Sequence, residues 1–105
     1  MERMAWRGRI KLGCKAEYIK RHDEIWPEMQ ESLKAAGICN YTIFVDGYEI
    51  FGYYECEWGV AFAERAQAES PVIDRWNAYM EDILELKMDP KTGAQPKLLP
   101  VFRLD

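Results

Sequence analysis

His22 is the only histidine in a chain of 105 residues. Its ordinary pKa of about 6.5 makes imidazole the side chain that gains and loses a proton around neutrality without large tuning. Tyr18 precedes it by four positions, one turn of a helix, so a phenol and an imidazole face the same space. Such a pair suits a polyhydroxylated ligand. A lone histidine on an apolar stripe is also a common hydrogen-bonded core residue, and on pattern alone that reading is the commoner one. Tyr41 and Trp76 add rings that can stack on the apolar faces of a sugar, with polar tips for its hydroxyls. Core packing explains each nearly as well. Glu55 and Glu57 share a strand face and read as exposed carboxylates rather than an acid–base pair. Nothing matches a P-loop, a dinucleotide fingerprint, a nucleophile elbow or a metal motif, so the expected chemistry uses no cofactor and no metal.

The elements that must position these residues follow from periodicity. Residues Met4 to Leu12 alternate as a half-buried strand, with Arg3, Arg7, Arg9 and Lys11 on the wet face. From Lys15 to Ala36 the spacing of Tyr18, His22, Ile25, Met29, Leu33 and Ala36 predicts one helix, kinked near Asp23 by Pro27 and ended at Gly37. Two strands, Ile38–Val45 and Glu49–Glu57, flank the hairpin signal Asp46-Gly47. A short helix is expected over Gly59–Ala68. Ser70-Pro71 then starts a second main helix, with Val72, Trp76, Tyr79, Met80 and Ile83 on one face. Residues Asp89 to Pro96 read as a loop, and Leu98 to Leu104 as a closing strand that Pro100 confines to an edge. The order strand, helix, strand, strand, helix, strand is the ferredoxin-like α+β plan, two helices on one face of an antiparallel sheet. Its other face lacks a cover, and a second copy of the chain is the simplest one.

Composition narrows the partners. One domain spanning 1–105 is expected from the length. A net charge of −4 argues against nucleic acid, which demands clustered Lys and Arg. Aromatic residues make up 13% of the chain, enough for a core plus a binding cavity or a subunit interface. Cys14, Cys39 and Cys56 are odd in number and lack CxxC spacing, as expected of reduced thiols in the cytoplasm. No segment has the apolar length of a signal peptide or a membrane span. Composition leaves a small molecule and a second subunit as the expected partners, with no nucleic acid and no membrane; the resemblance below implies that the small molecule is a sugar.

The segment Tyr18-Ile19-Lys20-Arg21-His22-Asp23-Glu24-Ile25-Trp26-Pro27-Glu28 resembles the signature helix of the L-rhamnose mutarotase family. The resemblance continues through Leu33 to Tyr41, returns at Arg75-Trp76-Asn77-Ala78-Tyr79-Met80, and closes at Val101-Phe102-Arg103-Leu104. It implies a homodimeric α+β barrel that equilibrates sugar anomers without metal or cofactor. Carried over by position, His22 corresponds to the proton donor, and Tyr18 and Tyr41 to sugar-binding tyrosines. Trp76 corresponds to the first of two adjacent tryptophans, and Asn77 stands where the second is found. An amide there removes a stacking surface and adds a donor and an acceptor, so the sugar expected is L-rhamnose or a related deoxy sugar. Two rivals share these features: a cofactor-independent monooxygenase of the ferredoxin-like dimer type, and a non-catalytic sugar-binding or dimerisation module.

Overall fold

The computed structural model describes residues 1–86 and 96–104. Strand β1 (Glu2–Ile10) leads to α1 (Lys15–Asp23) and α2 (Pro27–Ala35). The hairpin β2 (Ile38–Asp46) and β3 (Glu49–Cys56) follows, then α3 (Val60–Ala68) and α4 (Pro71–Met80). A 3-10 turn over Glu81–Ile83 runs into β4 (Leu84–Leu86), and β5 (Lys97–Leu98) closes the sequence. The sheet order is β2-β3-β1-β4, with β5 also on β1 and every pairing antiparallel. This is the ferredoxin-like α+β arrangement expected.

Three expectations need correcting. The single kinked helix is two helices, because Pro27 has no amide hydrogen to give and its ring pushes the preceding residue out of helical geometry. Trp26 is accordingly extended at φ −62° and ψ 136°, and Pro27 takes the first-turn position of α2, where its missing donor costs nothing. The apolar stripe survives this break: Tyr18, Met29 and Ala36 are buried and His22, Ile25 and Leu33 half-buried. The second main helix stops at Met80, and Ile83, placed on its face by periodicity, is buried in the 3-10 turn instead. The closing strand is confined to Lys97–Leu98, while Leu99–Leu104 lies outside any strand. Most of the Asp89–Pro96 loop falls outside the described residues.

Other signals are met directly. Gly37 ends α2 at φ 78°. The hairpin loop is Gly47-Tyr48, between the paired Asp46 and Glu49, with Gly47 at φ 61° supplying the left-handed first position of a two-residue turn. Ser70 caps α4 by accepting from the Ile73 amide at 3.2 Å.

The core lies between the helices and one face of the sheet. Ile10, Ile50, Tyr54 and Cys56 from the strands meet Tyr18, Met29, Ala63, Ile73, Trp76 and Met80 from the helices. The opposite face carries Arg3, Arg7 and Arg9 from β1, Phe51 and Tyr53 from β3, and Phe44 from β2.

One irregularity in β2 aims a residue of interest. The register with β3 shifts between Cys39 and Thr42, so Asn40 and Tyr41 together oppose a single position, Tyr54. Strict alternation from the buried Ile38 would turn Tyr41 outward. The inserted residue returns it to the core side, where its ring lies 5.0 Å from that of Tyr54. Asn40 absorbs the irregularity at φ 50°, a left-handed conformation that asparagine adopts more readily than most residues. Its amide donates to Glu55 Oε1 at 2.5 Å. Asn40→Val should therefore lower unfolding stability by about 1–2 kcal/mol in urea titrations, since a β-branched residue resists that backbone conformation.

Candidate active site

Helix α1 has the sequence that places a histidine at its last turn. Tyr18 is anchored in the core, and one turn later His22 stacks on it at a ring separation of 4.4 Å. His22 Nδ1 lies 3.0 Å from the Tyr18 carbonyl oxygen. A carbonyl can only accept, so Nδ1 carries the hydrogen and Nε2 is left with its lone pair. Trp76 of α4 packs against the imidazole edge at 5.5 Å and nearly perpendicular. Trp26, from the extended link between α1 and α2, meets Trp76 edge-on at 5.1 Å and Tyr79 at 5.5 Å.

Burial dominates the electrostatics here. It pulls the His22 pKa below the ordinary imidazole value; the Tyr18 carbonyl and the Asp23 carboxylate oppose that shift without cancelling it. Burial thus favours the neutral His22 ring. Burial likewise pushes the phenols of Tyr18 and Tyr41 upward, so both remain donors. Tyr18 and Tyr54 lie close enough to Tyr41 for each to oppose its ionisation. Tyr18 Oη takes no hydrogen-bond partner among the described residues, which leaves it available to a ligand oxygen.

Of the residues singled out from sequence, the structure brings Tyr18, His22, Trp76 and Tyr41 into one aromatic region. Asn77 follows Trp76 on α4, half-buried, and makes no ring contact or hydrogen bond with that region among the described residues. Glu55 is not part of it. It lies on the outer sheet face, where Asn40 and Tyr53 donate to it and hold its carboxyl below the usual range. Sequence reasoning did not single out Trp26, which packs on Trp76, or Trp6, whose indole N–H donates to Tyr41 Oη. The Trp-Pro step held a usable signal, because the residue before proline is driven out of helical geometry; Trp6 had none, since its role depends on its partner across the sheet.

The side of the helix pair away from the core is fastened by Arg21. Its guanidinium donates to Glu17 at 2.7 Å, to the Tyr79 carbonyl at 2.6 Å and to Asp82 at 3.0 Å, and lies 4.2 Å over the Tyr79 ring. A shallow pocket of about 180 Å³ opens beside it, lined by Glu17, Lys20, Arg21, Glu24, Trp26 and Tyr79. His22, Tyr18 and Tyr41 do not line it. Among the described residues, no cluster of three His, Cys, Asp or Glu side chains is placed to hold a metal.

Fold and site together define a ferredoxin-like α+β domain whose helices and sheet enclose one neutral imidazole and several phenols, a setting for proton transfer on a small polar molecule. The family model described as L-rhamnose mutarotase matches residues 3–104, and the chain belongs to that family. It is 41% identical over 107 aligned positions to an L-rhamnose mutarotase of Jannaschia sp. (strain CCS1), covering 99% of both chains. It is 42% identical over 87 positions to one of Listeria monocytogenes, covering 81% of this chain and 82% of that one. A crystal structure of an L-rhamnose mutarotase from Formosa agariphila superimposes over 100% of both chains with a TM-score of 0.81 at 28% identity.

Arg21 fixes α1 against the end of α4, and so sets how His22 meets Trp76. Arg21→Met should lower both the melting temperature and kcat/KM. Arg21→Lys should rescue neither fully, because an ammonium cannot span three partners in a planar fork. Unchanged melting and turnover in Arg21→Met would separate this clamp from the site.

Proposed function

We propose that this chain, with residues 1–105 as one mutarotase-like domain, interconverts the α and β anomers of L-rhamnose or a related deoxy sugar, with His22 as proton carrier. The observation that carries the reading is the Tyr18–His22–Trp76 arrangement in a chain of this family. Ring opening takes the proton from the anomeric hydroxyl, breaks the bond between C1 and the ring oxygen, and delivers a proton to that oxygen. The two oxygens are bonded to the same carbon. With Nδ1 committed to the Tyr18 carbonyl, Nε2 takes the hydroxyl proton and, as imidazolium, donates it to the ring oxygen. Rotation about the C1–C2 bond exposes the other aldehyde face, and closure runs the transfers backward. One histidine thereby serves as acceptor first and donor second, and burial favours the neutral form with which the cycle starts.

Tyr18 and Tyr41 would hold sugar hydroxyls through their phenol hydrogens, and Trp76 would pack on an apolar part of the sugar such as its methyl group. Asn77, beside Trp76, is the position at which we expect preference among deoxy sugars to be set. The family match leaves no observation favouring the monooxygenase reading. The cysteines are unpaired, as in the reducing cytoplasm in which we place the protein. Among the described residues, no helix is long and apolar enough to cross a membrane.

A homodimer is part of this proposal. Phe44 is 58% exposed, and Val101, Phe102 and Leu104 are 97%, 81% and 84% exposed. Apolar side chains on an uncovered sheet face and along the C-terminal segment suit a second copy of the chain. Phe44→Glu combined with Phe102→Glu should convert a dimer to monomer in sedimentation equilibrium. A monomeric wild type would remove the dimer from the account.

Exchange NMR of L-rhamnose anomers tests the activity. Wild type should speed α/β exchange, and His22→Ala should lose about 10²–10⁴-fold of that acceleration while keeping its melting transition. Wild-type rates from His22→Ala would remove the histidine from the mechanism. Binding of the sugar by wild type with no acceleration would favour the non-catalytic module.

A further inference from the structure

We propose that Trp6 is a positioning residue for the sugar site: its indole, admitted by the missing side chain of Gly52, donates to Tyr41 Oη and leaves the phenol hydrogen aimed at a ligand oxygen. The inference rests on the mutarotase reading above and extends it to a residue outside the proton-transfer chemistry.

Trp6 of β1 pairs directly with Gly52 of β3. The indole lies flat over that glycine, and a Cβ on residue 52 would overlap Cε2, Nε1 and Cζ2 of the ring. Gly52 is at an ordinary strand conformation, since its φ is not among the positive ones. The glycine is needed for close approach of the ring, not for backbone freedom. Trp6 is 6% exposed, and a buried indole N–H requires an acceptor. It finds one 3.0 Å away in Tyr41 Oη, thirty-five positions along the chain.

The consequence falls on Tyr41. A phenol oxygen accepts at its lone pairs and donates one hydrogen. With Nε1–H filling an acceptor site, Tyr41 is fixed in rotamer and used as an acceptor on its protein side. No acceptor for its own hydrogen lies within reach among the described residues. Tyr18, close enough to oppose the ionisation of Tyr41, likewise gives its hydrogen to no acceptor among the described residues. Two neighbouring phenols with unspent hydrogens present a pair of donors to a ligand rich in hydroxyl oxygens. The incoming Trp6 bond also polarises the Tyr41 O–H, making it the stronger donor. Three features must coincide for this: the bulge at Asn40 that turns Tyr41 inward, the glycine at 52 and the indole at 6.

A double-mutant cycle on the full-length chain tests the assignment. By exchange NMR with L-rhamnose, Trp6→Phe should raise KM about 3- to 10-fold, the scale of one neutral hydrogen bond, with kcat within about twofold. In a Tyr41→Phe background the same change should add less than about twofold, because the oxygen through which Trp6 acts is gone. An equal KM penalty in both backgrounds would overturn the proposal and leave Trp6 a packing residue. A readout independent of turnover separates this from failure of the mutarotase reading: Tyr41→Phe should move the Trp6 indole N–H resonance upfield. A resonance left in place overturns the positioning role whether or not the protein is active.

Discussion

Pro27 has no amide hydrogen, and the site is arranged around that absence. The chain between Asp23 and Pro27 leaves the helical path, so α1 ends one residue after His22 and Trp26 is delivered in an extended conformation. A continuous helix would carry His22 through its middle, hemmed in by the next turn. Ending α1 there places the imidazole at the helix's open end, between Tyr18 behind and Trp76 beside it. Trp26 then meets Trp76 and Tyr79 from the side. Arg21 ties the short α1 to the end of α4 and the 3-10 turn by donating to the Tyr79 carbonyl and Asp82.

The chemistry follows from what surrounds the imidazole. A carbonyl of its own helix occupies Nδ1, so the lone pair is presented at Nε2. Burial disfavours the charged ring, and the one adjacent carboxylate, Asp23, is too exposed to restore it fully. In the proposed mechanism this ring acts first as the base and becomes the acid only after it has taken a proton. Mutarotation needs a proton moved between two oxygens on one carbon, and a group that starts as acceptor and finishes as donor matches that requirement. The phenols are kept protonated by the same burial, and in that mechanism they are donors that do not compete for the proton.

Much of this was legible in the sequence, for identifiable reasons. Periodicity placed Tyr18 and His22 on one stripe, and turn chemistry at Gly37, Gly47 and Ser70-Pro71 bounded the elements. The ferredoxin-like order could be read from those boundaries. Periodicity could not show that Pro27 divides the helix completely, because a proline kink and a proline-initiated second helix have the same spacing. It also extended α4 over Ile83, whose apolar side chain is buried equally well by a 3-10 turn. The closing strand failed for another reason: Leu98–Leu104 is rich in apolar residues, but of this segment only Lys97 and Leu98 pair with β1. The Trp6–Tyr41 contact depended on sheet register and a one-residue bulge, and neither is written in local sequence.

The most direct test of the account is a nitrogen-15 NMR titration of the His22 ring in the untagged protein, where a single histidine makes assignment trivial. The account predicts a midpoint below the ordinary imidazole value of about 6.5, with the neutral ring protonated at Nδ1. A midpoint above that value, or a neutral ring protonated at Nε2, would contradict it, because His22 would then enter the cycle as a donor without first accepting the anomeric proton.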